Sequence, residues 1–198
     1  MPNLLKLVDY SNPGLRKKTA PVSFPLSAQD KQIIADMIYS IQPEQLDAAG
    51  ARDRAVGMAA NQWGIDKSIF LFCPSADTIN DLTVVINPSY EPVVPHIAAL
   101  AQQEQEWEGC FSVPLATGHI KRYTNIRVKY QNENGEVVSA ELSGWPARVW
   151  QHENDHLNGI LYDDHVAGKC VEKKEFKSEE MRDEFYDKVR EERNNENN

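Results

Sequence analysis

His152-Glu153-Asn154-Asp155-His156 is the stretch that decides which fold and chemistry to expect of this chain. Two histidines four residues apart on a helix project from the same face, so both imidazoles can reach one metal ion. Glu153 can then reach a metal-bound water without being a ligand itself. The metal lowers the pKa of that water from about 15.7 toward about 7, which makes hydroxide available at neutral pH. The stretch therefore predicts a metal-dependent hydrolase.

The alternative is that two solvated histidines stand on this helix by chance. The positions i, i+3, i+4, i+7 and i+11 lie on one face of the predicted helix. On this face the site residues His152, Glu153 and His156 stand with the apolar Val149 and Ile160. Two histidines and a glutamate on a core-facing stripe are costly unless they are paired or bound to metal. The pattern therefore favours the metal site.

The third ligand is left open by this stretch. The long metallopeptidase pattern continues His-x-x-Gly-x-x-His, and this chain supplies Gly159 but has Tyr162 where that histidine would stand. Other candidates are His119, His165 and many carboxylates. A zinc metallopeptidase with a different third ligand therefore stays open on these residues alone.

Two further motifs lie upstream, Val56-Gly57-Met58-Ala59-Ala60-Asn61-Gln62 and Glu108-Gly109-Cys110-Phe111-Ser112. Each is weak alone, because a lone cysteine is usually a small buried hydrophobe and a Gly-Ala-Ala run usually marks close packing. Together with the histidine stretch, and in this order, they resemble the three signature motifs of the peptide deformylase family. Residues 144–148, Gly-Trp-Pro-Ala-Arg, resemble the organellar and related bacterial type I branch.

The resemblance implies a role for each matching residue. Cys110 would be the third ligand beside His152 and His156. Glu153 would be the general acid/base. The side chain of Gln62 and the backbone N–H of Phe111 would stabilise the oxyanion, and Gly57 would admit the substrate backbone. One divalent ion is implied, with Fe(II) expected and Zn, Ni or Co able to replace it after purification.

The implied reaction is hydrolysis of the N-formyl group of an N-formylmethionyl peptide, or of a nascent chain, during the N-terminal processing of newly made proteins. Metal-bound hydroxide would attack the formyl carbon, Glu153 would move the proton, and formate would be released. A third hypothesis is a catalytically silent deformylase-like protein that binds peptides. The presence of all the site residues argues against it. Three departures from the family stand out: Ala55 for a glycine, Asn61 for a frequent proline, and Thr117-Gly118 where many members carry an arginine.

The expected fold is α+β, with small antiparallel sheets wrapped around a central helix that carries the histidines. We expect one domain over residues 1–198, which opens with an irregular arm over 1–26 and ends in a charged C-terminal helix and frayed tail over 169–198. A helix follows Ser27, an exposed loop spans 43–54, and the histidine helix runs from near Pro146 to before Gly159. Strands are predicted at 69–72, 84–86 and 126–130, and Asn134-Gly135 predicts a hairpin. Met181, Phe185 and Val189 predict a last helix up to about Arg193.

Composition and charge limit the partners. The 198 residues carry a net charge of -9 with a pI of 5.1, which argues against binding nucleic acid. No apolar run is long enough to cross a membrane, and three cysteines do not make a disulfide framework. We expect a cytoplasmic monomer. Some deformylases contact the ribosome through a basic tail, but residues 169–198 hold eight basic and ten acidic residues, so a solvated helix with at most a weak ribosome contact is favoured.

Overall fold

The structure, a computed structural model, describes residues 1–48, 55–75, 81–94, 100–164 and 170–196. Within them the chain combines helices with antiparallel sheets, which confirms the expected α+β class. Contacts divide the chain into two compact units. The first is Met1–Glu104 with Arg122–Leu161, and the second is Gln105–Lys121 with Tyr162–Asn198. The single domain expected over residues 1–198 stays a prediction.

An antiparallel sheet forms the base of the first unit. Its neighbouring strands are, in order, β1 (Gly57–Ala59), β2 (Ile69–Phe72), β3 (Thr83–Pro92), β6 (Asn125–Gln131) and β7 (Val137–Ser143). The three predicted strands are confirmed within β2, β3 and β6. The predicted hairpin joins β6 to β7, and Gly135 adopts the left-handed φ of 83° that favours glycine in such a turn.

The helix that carries the two histidines, α3 (Gly144–Leu157), packs on this sheet through an apolar cluster. Trp150 is buried and meets Phe70 and Phe72 edge-on, with ring centroids 4.9 and 5.4 Å apart. Such aromatic pairs each contribute about 0.5–1.5 kcal/mol beyond their buried area. The helix begins two residues before the predicted Pro146, and Gly159 follows its end with a φ of 73°. Packing against the sheet therefore fixes the helix on which the site is built.

A backbone hydrogen bond attaches the N-terminal arm to the first motif. The arm is irregular except for a 3₁₀ turn at Pro13–Arg16, and its Val8 N–H donates to the Gln62 carbonyl at 2.9 Å. Ser27 caps α1 (Ala28–Ser40) as predicted, in a capping box with Asp30.

The prediction of an exposed loop over residues 43–54 is wrong for its first half. Residues Pro43–Ala48 form α2, with Leu46 buried, whereas 49–54 lie outside the described residues. Proline at the first helical position and Glu44 in the first turn both favour a helix start at this point.

A second antiparallel sheet has the strand order β4 (Gln103–Glu108), β5 (Ala116–Tyr123) and β8 (Cys170–Glu175), and most of it lies in the second unit. Residues 170–175 were expected to belong to the helical tail, and this is wrong, because they pair with β5. The C-terminal helix is confirmed as α4 (Glu179–Glu196), which extends three residues beyond the predicted end at Arg193. None of the helices in the described ranges is both long and apolar enough to cross a membrane.

Candidate metal centre

Three predicted ligands come together in the structure. The ligand atoms of Cys110, His152 and His156 all lie within 4.8 Å of one another. The two imidazole centroids are 4.9 Å apart, as expected for residues one turn apart on α3, and His156 is 1% exposed. Among the residues that the structure describes, no other group of three or more His, Cys, Asp or Glu side chains could hold a metal ion. One thiol sulfur with two imidazole nitrogens is a donor set that suits zinc and related divalent transition metals, so these residues fit such an ion.

Cys110 stands in the turn that follows β4. The backbone N–H of Ser112 donates to the Cys110 sulfur at 3.4 Å, and the Val113 N–H donates to the Cys110 carbonyl at 3.0 Å. The turn therefore fixes the sulfur, which as a thiolate is the form of cysteine that binds metal. Within the described ranges, the Phe111 N–H donates to no acceptor, so it remains a candidate oxyanion donor.

Tyr162 and His119 are engaged elsewhere, and His165 lies outside the described residues. The Tyr162 hydroxyl donates to the Ala116 carbonyl at 2.7 Å, and burial, followed by the neighbouring Cys110, holds the pKa of Tyr162 well above its usual range. A neutral, hydrogen-bonded phenol is a poor metal ligand. His119 stacks on Trp107 with ring centroids 4.8 Å apart, and His165 is outside the described residues.

Glu153 is buried on α3 and lies against Gly57 of β1. A methyl group added at Gly57 would be 2.6 Å from both Cγ and Oε1 of Glu153, closer than real Cβ atoms come to other atoms. Glu153 itself is 4% exposed, so the carboxylate occupies a confined position. Gly57 was predicted to admit the substrate backbone, and the structure adds that its missing side chain leaves room for Glu153.

Gln62 and Asn61 lie in the 3₁₀ turn Ala60–Trp63 that follows β1. The Ala59 N–H donates to Gln62 Oε1 at 2.8 Å, which fixes the oxygen as the acceptor end of this amide and Nε2 as its donor end. The Asn61 amide donates to the backbone carbonyl of His156 at 2.6 Å. Sequence reasoning recognised Asn61 only as a departure from proline and missed this bond to a ligand residue.

Two polar contacts that were not predicted from the sequence join α3 to Arg122 and Tyr123. Arg122 forms a buried ion pair with Asp155. Gln151 accepts from the Tyr123 N–H at 3.0 Å and donates to the Tyr123 carbonyl at 2.8 Å. The sequence did carry one signal for the ion pair, since a buried aspartate between two ligand positions requires a cation nearby. These contacts fix the rotation of the helix that presents both histidines.

Comparison with known proteins points to one family. The family model for polypeptide deformylase matches residues 4–172. The peptide deformylase of Latilactobacillus sakei is 36% identical over 167 residues, which cover 81% of this chain and 88% of that protein. The one from Lacticaseibacillus casei is 40% identical over 159 residues, or 77% of this chain and 84% of that protein.

Solved structures give the same result. Peptide deformylase from Thermotoga maritima is 36% identical, with a TM-score of 0.65 over 82% of this chain and 97% of that chain. The class I type b enzyme from Acinetobacter baumannii, crystallised with Met-Ala-Ser bound, is 30% identical, with a TM-score of 0.64 over 81% of this chain and 97% of that chain.

Proposed function

This chain belongs to the polypeptide deformylase family, and we propose that its reaction is carried out by the residues that the three motifs contribute. The chain is a hydrolase that removes the N-formyl group from newly made peptides, as its family does. The proposed site comprises the ligands Cys110, His152 and His156 with Glu153, Gln62, Phe111 and Gly57. The observation that carries the proposal is the approach of one sulfur and two imidazole ligands to within 4.8 Å.

Cys110, His152 and His156 are the proposed ligands of one divalent ion, and Fe(II) is the ion that the family resemblance favours. Zn, Ni and Co suit the same donors. A divalent ion bound to them supplies Lewis acidity, which lowers the pKa of water from about 15.7 toward about 7 and polarises a carbonyl. Three protein ligands leave a coordination position open, as in catalytic rather than structural sites.

Glu153 is the proposed general acid/base. It accepts a proton from the attacking water and delivers it to the amine that departs from the formyl carbon. Its contact with Gly57 supports this role, because a confined carboxylate keeps the fixed position that proton transfer requires. General acid–base catalysis of this kind contributes about 10²–10⁴-fold to a rate.

The oxyanion that forms at the formyl carbon is assigned to two donors, the Gln62 side-chain amide and the Phe111 backbone N–H. The bond from Ala59 to the Gln62 oxygen supports this role, because it orients the amide with its nitrogen as the donor end. The loss of one preorganised donor of this kind typically costs about 2.7–4 kcal/mol of transition-state stabilisation.

The substrate is proposed to bind as an extended peptide beside β1. Among the strands that the structure describes, β1 is at the edge of the sheet with the order β1-β2-β3-β6-β7, so a peptide can add to it by backbone hydrogen bonds. The Acinetobacter baumannii enzyme was crystallised with Met-Ala-Ser, which supports a methionine-first peptide for this chain as well. The monomeric state, the cytoplasmic location and a weak ribosome contact stay predictions from the sequence.

Two matched cysteine variants test the proposed site. Cys110→Ser is compared with Cys73→Ser, which changes a buried cysteine of the first unit. After Fe(II) loading without air, metal content is measured in the presence of a chelator, and formate release is measured from an N-formylmethionyl peptide. We expect Cys110→Ser to lose metal and turnover and Cys73→Ser to keep both. A Cys110→Ser protein that keeps both would contradict the proposal and favour a metal site with a different third ligand.

A further inference from the structure

The C-terminal helix lies beyond the residues that the family model matches. The match to the family model ends at residue 172, whereas α4 begins at Glu179. Its side chains nevertheless contact the segment 108–114, which contains the second motif with Cys110. All these contacts lie within the second unit.

Tyr186 of α4 contacts the glycine that precedes the proposed ligand. A Cβ built on Gly109 would be 2.8 Å from the Tyr186 hydroxyl, so this hydroxyl occupies the space beside the Gly109 backbone. The same hydroxyl is 2.5 Å from the Thr117 hydroxyl, which in turn donates to the Glu108 carbonyl at 2.8 Å. Because a threonine hydroxyl has a single proton, Tyr186 must be the donor to Thr117. A directed chain of hydrogen bonds therefore runs from α4 to the backbone beside Cys110.

The far end of the same segment is also held by α4. Arg182 donates to the Pro114 carbonyl at 2.7 Å, and its guanidinium is fixed by Asp183 at 2.8 Å. Arg182 and Tyr186 are four residues apart, so they share one face of the helix. The 108–114 segment is thus held near both ends, with Cys110 between the two points.

Aromatic packing keeps α4 in place for these contacts. Phe185 meets Trp107 edge-on with ring centroids 5.0 Å apart. The Lys174 amine lies 4.8 Å from the centroid of the Trp107 ring and 4.5 Å from that of the Phe185 ring. These apolar and cation–π contacts stabilise the docked helix. By contrast, the bonds from Tyr186 and Arg182 are polar and lead to the backbone of the motif.

We propose that Tyr186, supported by Arg182, is a positioning residue for the metal ligand Cys110. This proposal rests on the proposed function, in which Cys110 binds the metal. The hydroxyl of Tyr186 restrains Gly109 directly and Glu108 through Thr117. Glycine has the least restricted backbone of all residues, so the position beside the ligand is where an external restraint matters most. Without the hydroxyl, the Cys110 sulfur samples more positions, and the metal dissociates faster. Removal of a group that orients a metal ligand lowers the affinity for the metal.

The test uses the full chain loaded with Co(II), because bound thiolate gives cobalt a charge-transfer absorption. Wild type, Tyr186→Phe and Tyr39→Phe are compared. Tyr39→Phe is the matched control, because the Tyr39 hydroxyl also has a side-chain hydrogen bond, from Gln45 at 3.1 Å. Two readouts are recorded: the thiolate-to-cobalt band and the rate of metal loss to a chelator.

For Tyr186→Phe we expect metal loss that is about two- to tenfold faster, as the loss of one hydrogen bond implies, with a weakened or shifted band. Tyr39→Phe should match the wild type. If Tyr186→Phe lowers only the thermal unfolding midpoint and leaves both readouts unchanged, α4 merely stabilises the unit and the proposal is wrong. A wild type that lacks the band would overturn the cysteine ligand and this proposal together.

A double-mutant cycle covers the case in which Tyr186→Phe is too mild. Gly109→Ala is made in the wild type and in Tyr186→Ala; an alanine side chain in the wild type would have to displace the tyrosine hydroxyl. Gly109→Ala should accelerate metal loss clearly in the wild type and little in Tyr186→Ala. Equal acceleration in both backgrounds would overturn the proposal.

Discussion

Replacing Gly57 by alanine should displace Glu153 and slow the reaction without removing the metal. The added methyl group would lie 2.6 Å from Glu153 Cγ and Oε1, whereas ordinary contacts begin at 3.4 Å. The difference, 3.4 minus 2.6, requires a shift of at least 0.8 Å. A misplacement of about 1 Å can cost about 10²-fold in rate, so we expect kcat to fall by about that factor.

Stability should change much less than activity. The atoms that the new methyl group meets belong to the Glu153 side chain and not to the backbone, so the clash can be relieved without a change in the backbone. Gly57 also has no left-handed φ that an alanine would strain. The unfolding free energy should therefore stay within about 1 kcal/mol of the wild-type value.

The assay measures formate release at a saturating concentration of formyl-peptide, with protein of measured metal content. Gly57→Ala is made both in the wild type and in Glu153→Asp, which completes a double-mutant cycle. Aspartate is one methylene shorter and leaves room for the new methyl group, so Gly57→Ala should cost less in that background. The reasoning would be refuted if fully metallated Gly57→Ala kept kcat within about twofold of wild type. A loss of the same size in both backgrounds would also refute it, since Gly57 would then act independently of Glu153.

Three further outcomes follow from the structure. Asn61→Ala should lower the unfolding free energy in urea by about 1 kcal/mol, because it removes the bond to the His156 carbonyl, and an unchanged value would contradict this. Burial, followed by the charge of Asp155, raises the pKa of Tyr90 from 10.0 to about 12. The neutral tyrosine therefore stabilises the fold fully below pH 10, and about 2–3 kcal/mol of unfolding free energy is lost as the pH rises from 10 toward 12. Tyr90→Phe should flatten this dependence in urea unfolding at several pH values, and an unaltered slope would argue against it. Removing the metal with a chelator should abolish formate release and Fe(II) without air should restore it; failure with Fe(II), Ni, Co and Zn alike would contradict the metal requirement.

Local signals in the sequence were sufficient for several elements. The cap at Ser27 and the Asn134-Gly135 turn were predicted correctly, because both depend on interactions between residues close in the chain. The spacing of His152 and His156 placed both on one face of a helix, and the structure brings them together with Cys110. The proposed catalytic roles of the individual site residues stay predictions.

Contacts between distant segments could not be predicted. The strand at Cys170–Glu175 is strongly charged, and its pairing with β5 makes it a strand. The fit of Gly57 to Glu153 and the bond from Asn61 to His156 each join segments about ninety-five residues apart. The ion pair between Arg122 and Asp155 likewise joins two residues that are 33 positions apart.

The central claim is that Glu153 carries out proton transfer at a metal site built from Cys110, His152 and His156. It is tested most directly by formate release from a formyl-Met-Ala-Ser peptide, using protein purified without air and loaded with Fe(II), beside Glu153→Ala. We predict turnover by the wild type and its loss in Glu153→Ala while the metal stays bound. Undiminished formate release by metal-loaded Glu153→Ala, or none from fully metallated wild type, would contradict the account.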